Sequence, residues 1–94
     1  MQKRADVLTL PKELTHENAT ACLAQLSSTI ADEITPVRVD AAALEQFDSS
    51  ALAVLLELRR TCLRAGKSMV VQGLPQRLRD LATVYGIESL LPDA

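Results

Sequence analysis

Three groups of residues in this chain carry side chains that can do chemistry: the hydroxyls of Ser49 and Ser50 beside Asp48, the single histidine His16, and the thiols of Cys22 and Cys62. Asp48-Ser49-Ser50 stands just before an apolar run, Ala51 to Leu58, and so reads as the entrance to a helix. Asp48 or Ser49 can accept from the orphan N–H groups of a first helical turn. A hydroxyl there also sits at the positive end of the helix dipole, where the same N–H groups would hold a phosphoryl group. Such a group brings a charge of about −1.5 to −2, and beside an apolar patch that charge switches binding off. Capping explains Ser49 as well, and spacing alone favours capping.

Other chemistries lack parts. A zinc site takes three or four ligands at local spacing, and His16, Cys22 and Cys62 do not supply it. A Ser-His or Cys-His nucleophile would have to use His16, which lies in the polar stretch Thr15-His16-Glu17-Asn18 and reads as an exposed first-turn residue. The three glycines, Gly66, Gly73 and Gly86, are spaced singly, so no Gly-rich loop wraps a phosphate. Cys22 and Cys62, both on apolar faces, read as reduced core residues. The expectation is a protein with no catalytic residues, no metal and no cofactor.

The elements that position Asp48 and Ser49 follow from composition and period. With 94 residues the chain suits one domain, residues 1–94, because two would be too small to bury separate cores. Sixteen leucines and 13 alanines dominate the apolar set, and Trp is absent. This composition points to helices packed on a regular sheet and against base-stacking platforms. The net charge of −2 offers no surplus for a phosphate backbone, so nucleic acid is not an expected partner. No apolar run approaches the roughly 18 residues of a membrane span. The opening residues are too short for a secretory h-region, which makes the cytoplasm the expected compartment.

Val7-Leu8-Thr9-Leu10 reads as a strand stopped by Pro11. Residues 16–33 read as a helix with Thr15 as N-cap and Ala19, Cys22, Leu23, Leu26 and Ile30 as its stripe. Val37-Arg38-Val39-Asp40 alternates like a strand, and Ala41 to Phe47 reads as a connection. A second helix runs from about Ser49 to Ala65, ended by Gly66. Met69-Val70-Val71 reads as a strand covered on both faces. Pro75 opens a third helix with Leu78, Leu81, Ala82 and Tyr85 as its stripe, and Gly86 closes it. Arg77 and Arg79 fall on a solvated face. Strand, helix, strand in the middle of the chain is a βαβ unit with a parallel pair, and the whole reads as a small α/β sandwich.

The second helix carries too much apolar surface for one buried face. Leu55, Leu58 and Cys62 define that face, with Leu52, Leu56 and Leu63 beside it, while Ala53 and Val54 point elsewhere. A fully buried central helix and a partner-binding surface both fit the pattern. The small size of the domain favours the second, since it can hardly bury a helix on all sides. Arg59, Arg60, Arg64 and Lys67 complement the dipole at the helix C-terminus.

Phe47-Asp48-Ser49-Ser50-Ala51-Leu52 resembles the signature of STAS domains, the family of anti-sigma-factor antagonists and sulfate-transporter tails, in which a strand leads to Asp-(Ser/Thr)-(Ser/Ala/Gly)-Gly-Leu. Leu10-Pro11-Lys12-Glu13-Leu14-Thr15 is similar to the family's earlier Leu-x-Gly-Glu-Leu-Asp turn. Met69 to Leu74, with the helix ending Val84-Tyr85-Gly86, is similar to its third βα unit. The likeness spans about nine-tenths of the chain and is strongest to MlaB-type members, the small STAS subunits of Mla phospholipid ABC transporters, which maintain outer-membrane lipid asymmetry. It rests there on the Leu-Pro-x-Glu-Leu turn, the Leu-x-x-Leu-Leu-x-Leu rhythm of the second helix, and Leu-Ala-x-x-Tyr near the end.

The resemblance implies a STAS-like α/β fold, with a mostly parallel sheet of about four short strands and three to four helices. It implies a cytoplasmic, non-catalytic subunit, peripheral to the inner membrane through its partner and not inserted in the bilayer. That partner would be the transporter's ATPase subunit, contacted by Asp48, Ser49, Ser50, Leu52, Ala53 and Leu56. The alternative is a signalling switch of the anti-sigma-factor-antagonist type, with an anti-sigma factor or kinase as partner and Ser49 as phosphoacceptor. Two departures stand out. Ala51 replaces the family glycine, which removes easy access to positive φ at that turn. The first strand is short, which leaves an open sheet edge through which the isolated chain can pair as a homodimer.

Overall fold

The computed structural model describes residues 7–30 and 36–92. Its first sheet has three parallel strands, β1 (Val7–Thr9), β3 (Val37–Asp40) and β5 (Met69–Gln72), in the order β1-β3-β5. A second, two-stranded parallel sheet joins β2 (Glu13–Leu14) to β4 (Gln46–Phe47). Three helices, α1 (Ala19–Ser27), α2 (Ser49–Arg64) and α3 (Gln76–Val84), and a 3-10 turn over Glu88–Leu90 complete the described chain. The chain order places α1 and α2 each between parallel strands, as the periodicity implies, while α3 follows the last strand.

Register explains which strand residues are buried. Leu8, Val39 and Val71 share one row and are at most 6% exposed. The flanking rows, Val7-Arg38-Val70 and Thr9-Asp40-Gln72, lie on the opposite face and are half-buried or exposed. The expectation that β5 is covered on both faces is therefore corrected. Because β3 itself alternates Val-Arg-Val-Asp, only one face of the sheet offers a continuous apolar surface for the helices. That face meets Ile30 of the turn after α1, Leu55 and Leu58 of α2, and Leu78 of α3 in one core cluster.

Local chemistry sets the helix ends. α1 starts at Ala19 with Asn18, not Thr15, as its N-cap. The Asn18 side chain turns back instead: its Oδ1 accepts from the Thr15 N–H at 2.8 Å, and its Nδ2 donates to the Glu13 carbonyl at 2.7 Å. α1 is shorter at its start than the expected 16–33, and the expected end, residues 31–33, lies outside the described residues, as do residues 1–6. The apolar stripe of α1 holds: Ala19, Cys22, Leu23 and Leu26 pack against the core, and Ile30 is 1% exposed.

α2 closes with two reverse bonds, Gly66 N–H to the Leu63 carbonyl (3.0 Å) and Lys67 N–H to the Cys62 carbonyl (2.8 Å), which is the Schellman arrangement. Gly66 supplies the positive φ of 76° that this closure requires. Lys67 Nζ then donates to the Ile30 carbonyl at 2.8 Å, tying the end of α2 to the exit of α1. In α3, Leu78 and Ala82 are buried and Leu81 packs at their side, but Tyr85 is 54% exposed and does not extend the stripe inward. The tail returns to β5, where the Val71 N–H donates to the Pro92 carbonyl at 2.8 Å.

Candidate functional site

The link between β4 and α2 is built by pairing residues far apart in sequence. Ala41 to Phe47 is a connection only as far as Glu45, since Gln46 and Phe47 pair with Glu13 and Leu14. The Lys12 carbonyl accepts from both Glu45 N–H (2.7 Å) and Gln46 N–H (3.0 Å). This clip brings the turn after β2, Thr15 to Asn18, alongside the start of α2.

Asp48 holds that junction. Its backbone is extended (φ −132°, ψ −167°), and its Oδ1 accepts from the Ser50 N–H at 2.8 Å, which makes it the N-cap of α2. Its Oδ2 accepts from the His16 N–H at 3.2 Å and lies 3.3 Å from His16 Nδ1. The Ser50 N–H bond, opposed by slight desolvation and reinforced by His16, lowers the Asp48 carboxyl to a pKa of about 2. The carboxylate is thus ionised across the physiological range.

Since Asp48 does the capping, Ser49 does not. Ser49 is exposed at the first helical position, and its hydroxyl makes no hydrogen bond among the described residues. Ser50 is half-buried. Ala51 is fully buried in regular helix, and no described non-glycine residue has positive φ. The alanine that replaces the family glycine therefore meets no conformational demand at this turn.

Two expectations for the following turns need correction. Leu52 is 2% exposed and belongs to the core, so its side chain is unavailable as a partner contact. Val54, expected to point outward, is also 2% exposed. Both follow from helix phase: α2 packs extensively against α1 and also meets α3, and its flanks are buried along with its sheet side. Ala53 remains exposed, and Leu56 is half-buried.

The surface of α2 that stays open is one strip, a row flanked by the exposed Arg64 and the partly exposed Glu57. Ser49, Ala53, Leu56, Arg60 and Leu63 recur at steps of four and three, within an arc of about 80° at 100° per residue. Leu63, in the last turn, is 53% exposed. Beside the entrance, Phe47 carries the Arg77 guanidinium over its ring at 5.0 Å, so Arg77 is engaged and not simply solvated. Phe47, Arg77, Leu81 and Val84 line a shallow groove of about 310 Å³ there.

Sequence reasoning missed His16 as a member of this junction, because its partner is 32 residues away. It also missed Arg60 and Leu63 as members of the exposed row, although the four-three spacing from Ser49 was present to be read. The larger groove, about 500 Å³, lies between the end of β1 and α1, and its lining includes none of these residues except by way of Asn18. Cys62 is buried and Cys22 half-buried; both thiols are free, and burial raises the pKa of each. Among the described residues no group of three or more His, Cys, Asp or Glu could hold a metal ion. Among them, too, no helix is long and apolar enough to cross a membrane.

A structure from Thermotoga maritima described as a putative anti-sigma factor antagonist matches with a TM-score of 0.77 over 98% of this chain and 81% of that chain, at 14% identity. At that identity the likeness is one of fold, and it agrees with the α/β architecture expected from the sequence. No curated protein matched. The family model described as "Mlab, STAS domain" matches residues 1–92. The chain belongs to the STAS domain family, in its MlaB-type branch.

Proposed function

We propose that this protein is a non-catalytic STAS subunit that docks on the ATPase subunit of an Mla-type phospholipid ABC transporter and stabilises or regulates it. The observation that carries the reading is the exposed row of α2, which starts at a Ser49 hydroxyl left free by the Asp48 cap. Asp48, Ser49, Ser50, Ala53 and Leu56 form the proposed contact at the helix entrance. Family membership supports a partner-binding role, and the likeness to MlaB-type chains supports the choice of partner. A docking surface needs no bond-making residues. On this reading the protein works in the cytoplasm, held at the inner membrane through its partner.

The test is co-purification with the ATPase subunit. Ser49→Glu and Ala53→Asp are both at exposed positions, so the domain stays folded while capture is lost. Retention of the ATPase by both folded variants would refute the docking face.

A second reading is favoured by one specific feature, the unbonded Ser49 hydroxyl beside an ionised carboxylate. In a switch of the anti-sigma-factor-antagonist type, a partner kinase would phosphorylate Ser49 and the added charge would release the bound protein. Incubation with the candidate kinase and ATP, followed by mass spectrometry, separates the two. Phosphate on Ser49 supports the switch, and an unmodified Ser49 counts against it.

A further inference from the structure

The exposed row does not stop at the helix entrance. It continues to Arg60 and Leu63, and its second half differs in chemistry from the first. Leu63 is 53% exposed, one of only three large apolar side chains that open to water among the described residues. Arg59 and Arg60, four and three residues before it, are its neighbours on the helix surface, and Arg64 follows it on the flank beyond Arg60. Arg60 meets Glu57 at 3.2 Å, but the two side chains are 64% and 43% exposed, so the pair is held weakly in water. Arg64 reaches the Thr61 hydroxyl at 3.4 Å. The helix dipole accounts for Arg64, the basic residue of the last turn. The expectation that Arg59 and Arg60 also serve the dipole is corrected, because only Arg64 falls in the last turn, and the dipole gives no reason for an exposed leucine beside them.

We propose that this half of α2 receives an amphipathic helix of the partner whose apolar edge packs on Ala53, Leu56 and Leu63 and whose acidic side chains meet Arg59, Arg60 and Arg64. The inference rests on the docking reading above and adds the chemistry of what docks. Steps of four and three are the spacing at which two helices interlock along a seam. From Ala53 to Leu63 the seam is about 15 Å long, close to three turns. The charge argument commits to an acidic partner: three arginines and one glutamate leave this patch positive on a chain whose net charge is −2. Opposed charges of that kind fix orientation and speed the encounter.

The test uses the full chain, isotopically labelled, with two synthetic helical peptides. They share a leucine seam and differ only in flanking Glu or Lys. The Glu peptide is expected to shift the backbone signals of Ala53, Leu56, Arg60 and Leu63, and to bind less tightly as salt rises. Arg60→Glu with Arg64→Glu, checked by circular dichroism for an intact fold, is expected to weaken it at least about tenfold. Equal binding of the Lys peptide, indifference to the double reversal, no binding, or binding only to vesicles of anionic lipid would each overturn the proposal. The ATPase subunit supplies the separating arm. If Ser49→Glu abolishes its capture while the double reversal leaves it intact, the docking face stands and the acidic helix falls. If the ATPase is not captured but the Glu peptide binds the row, the acidic helix stands and the docking partner proposed above falls.

Discussion

Leu52 and Ala53 are adjacent in α2, yet the fold assigns them opposite jobs, and substituting each in turn separates core from surface. Leu52 is 2% exposed, so Leu52→Ala removes buried methylenes worth about 0.8 kcal/mol each and leaves a cavity lined by atoms that only partly relax. The expected loss is about 2–5 kcal/mol. A domain of this length holds a total of about 5–14 kcal/mol, so the variant forfeits a large share of its stability. With a shift of roughly 4–8 °C per kcal/mol, its melting temperature falls by some tens of degrees or less, at minimum about 8 °C. Ala53→Asp acts on an exposed position, where the cost is helix propensity alone, about 0.7 kcal/mol or less, and a few degrees. Thermal and urea melts followed by circular dichroism measure both, and capture of the ATPase subunit is read in parallel. Leu52→Ala should lose stability yet keep capture at temperatures where it is folded, while Ala53→Asp should do the reverse. A Leu52→Ala melt indistinguishable from the parent, or a collapse of the fold in Ala53→Asp, would show that the helix phase described above is wrong.

Two other perturbations probe features that position the site. Gly73 has φ +72°, and an added Cβ would meet Ala42 at 2.9 Å from its Cβ and 3.0 Å from its backbone nitrogen, whereas Gly66 has φ +76° and open space around it. Gly66→Ala should therefore cost about 1–2 kcal/mol from the left-handed backbone alone, and Gly73→Ala measurably more in urea unfolding; equal losses would remove the close approach from the argument. The Asp48 carboxyl, lowered to about 2 by the Ser50 N–H and His16, favours the folded state while ionised. Its contribution is complete above the ordinary carboxylate value and is lost as pH falls from about 4 toward 2. A pH titration following the Ser50 and His16 amide signals should show this, and Asp48→Asn, which keeps an oxygen for the cap, should abolish that step.

What the sequence makes legible is what neighbouring residues decide among themselves. β3 is readable over Val37–Asp40 because its alternation is local, and α2 because Asp48 and Gly66 punctuate it. Pairings across the chain are not readable in this way. Gln46 and Phe47 look like loop until Glu13 and Leu14 lie beside them, and His16, exposed as the sequence implies, gives no sign of its bonds to Asp48, 32 residues on. The assignment of Leu52 and Val54 to the surface failed for a related reason. Periodicity gives the number of apolar faces on a helix but not which neighbours cover them, and α1 and α3 bury its flanks. At the start of α1, both Thr15 and Asn18 are residue types that cap helices, and the Asn18 side chain instead ties residues 13–18 into a turn, so the helix begins at Ala19.

α2 is at once the central pillar of the hydrophobic core and the bearer of the exposed row. An associate gripping that row grips the whole molecule, because no separate lobe exists to absorb the effect among the described residues. Saturating occupancy then adds to global folding free energy by mass action, about 2.7 kcal/mol when the associate stands at a hundred times its dissociation constant. The solitary chain would be the more readily degraded form, and its lifetime in a cell would track the supply of whatever holds it.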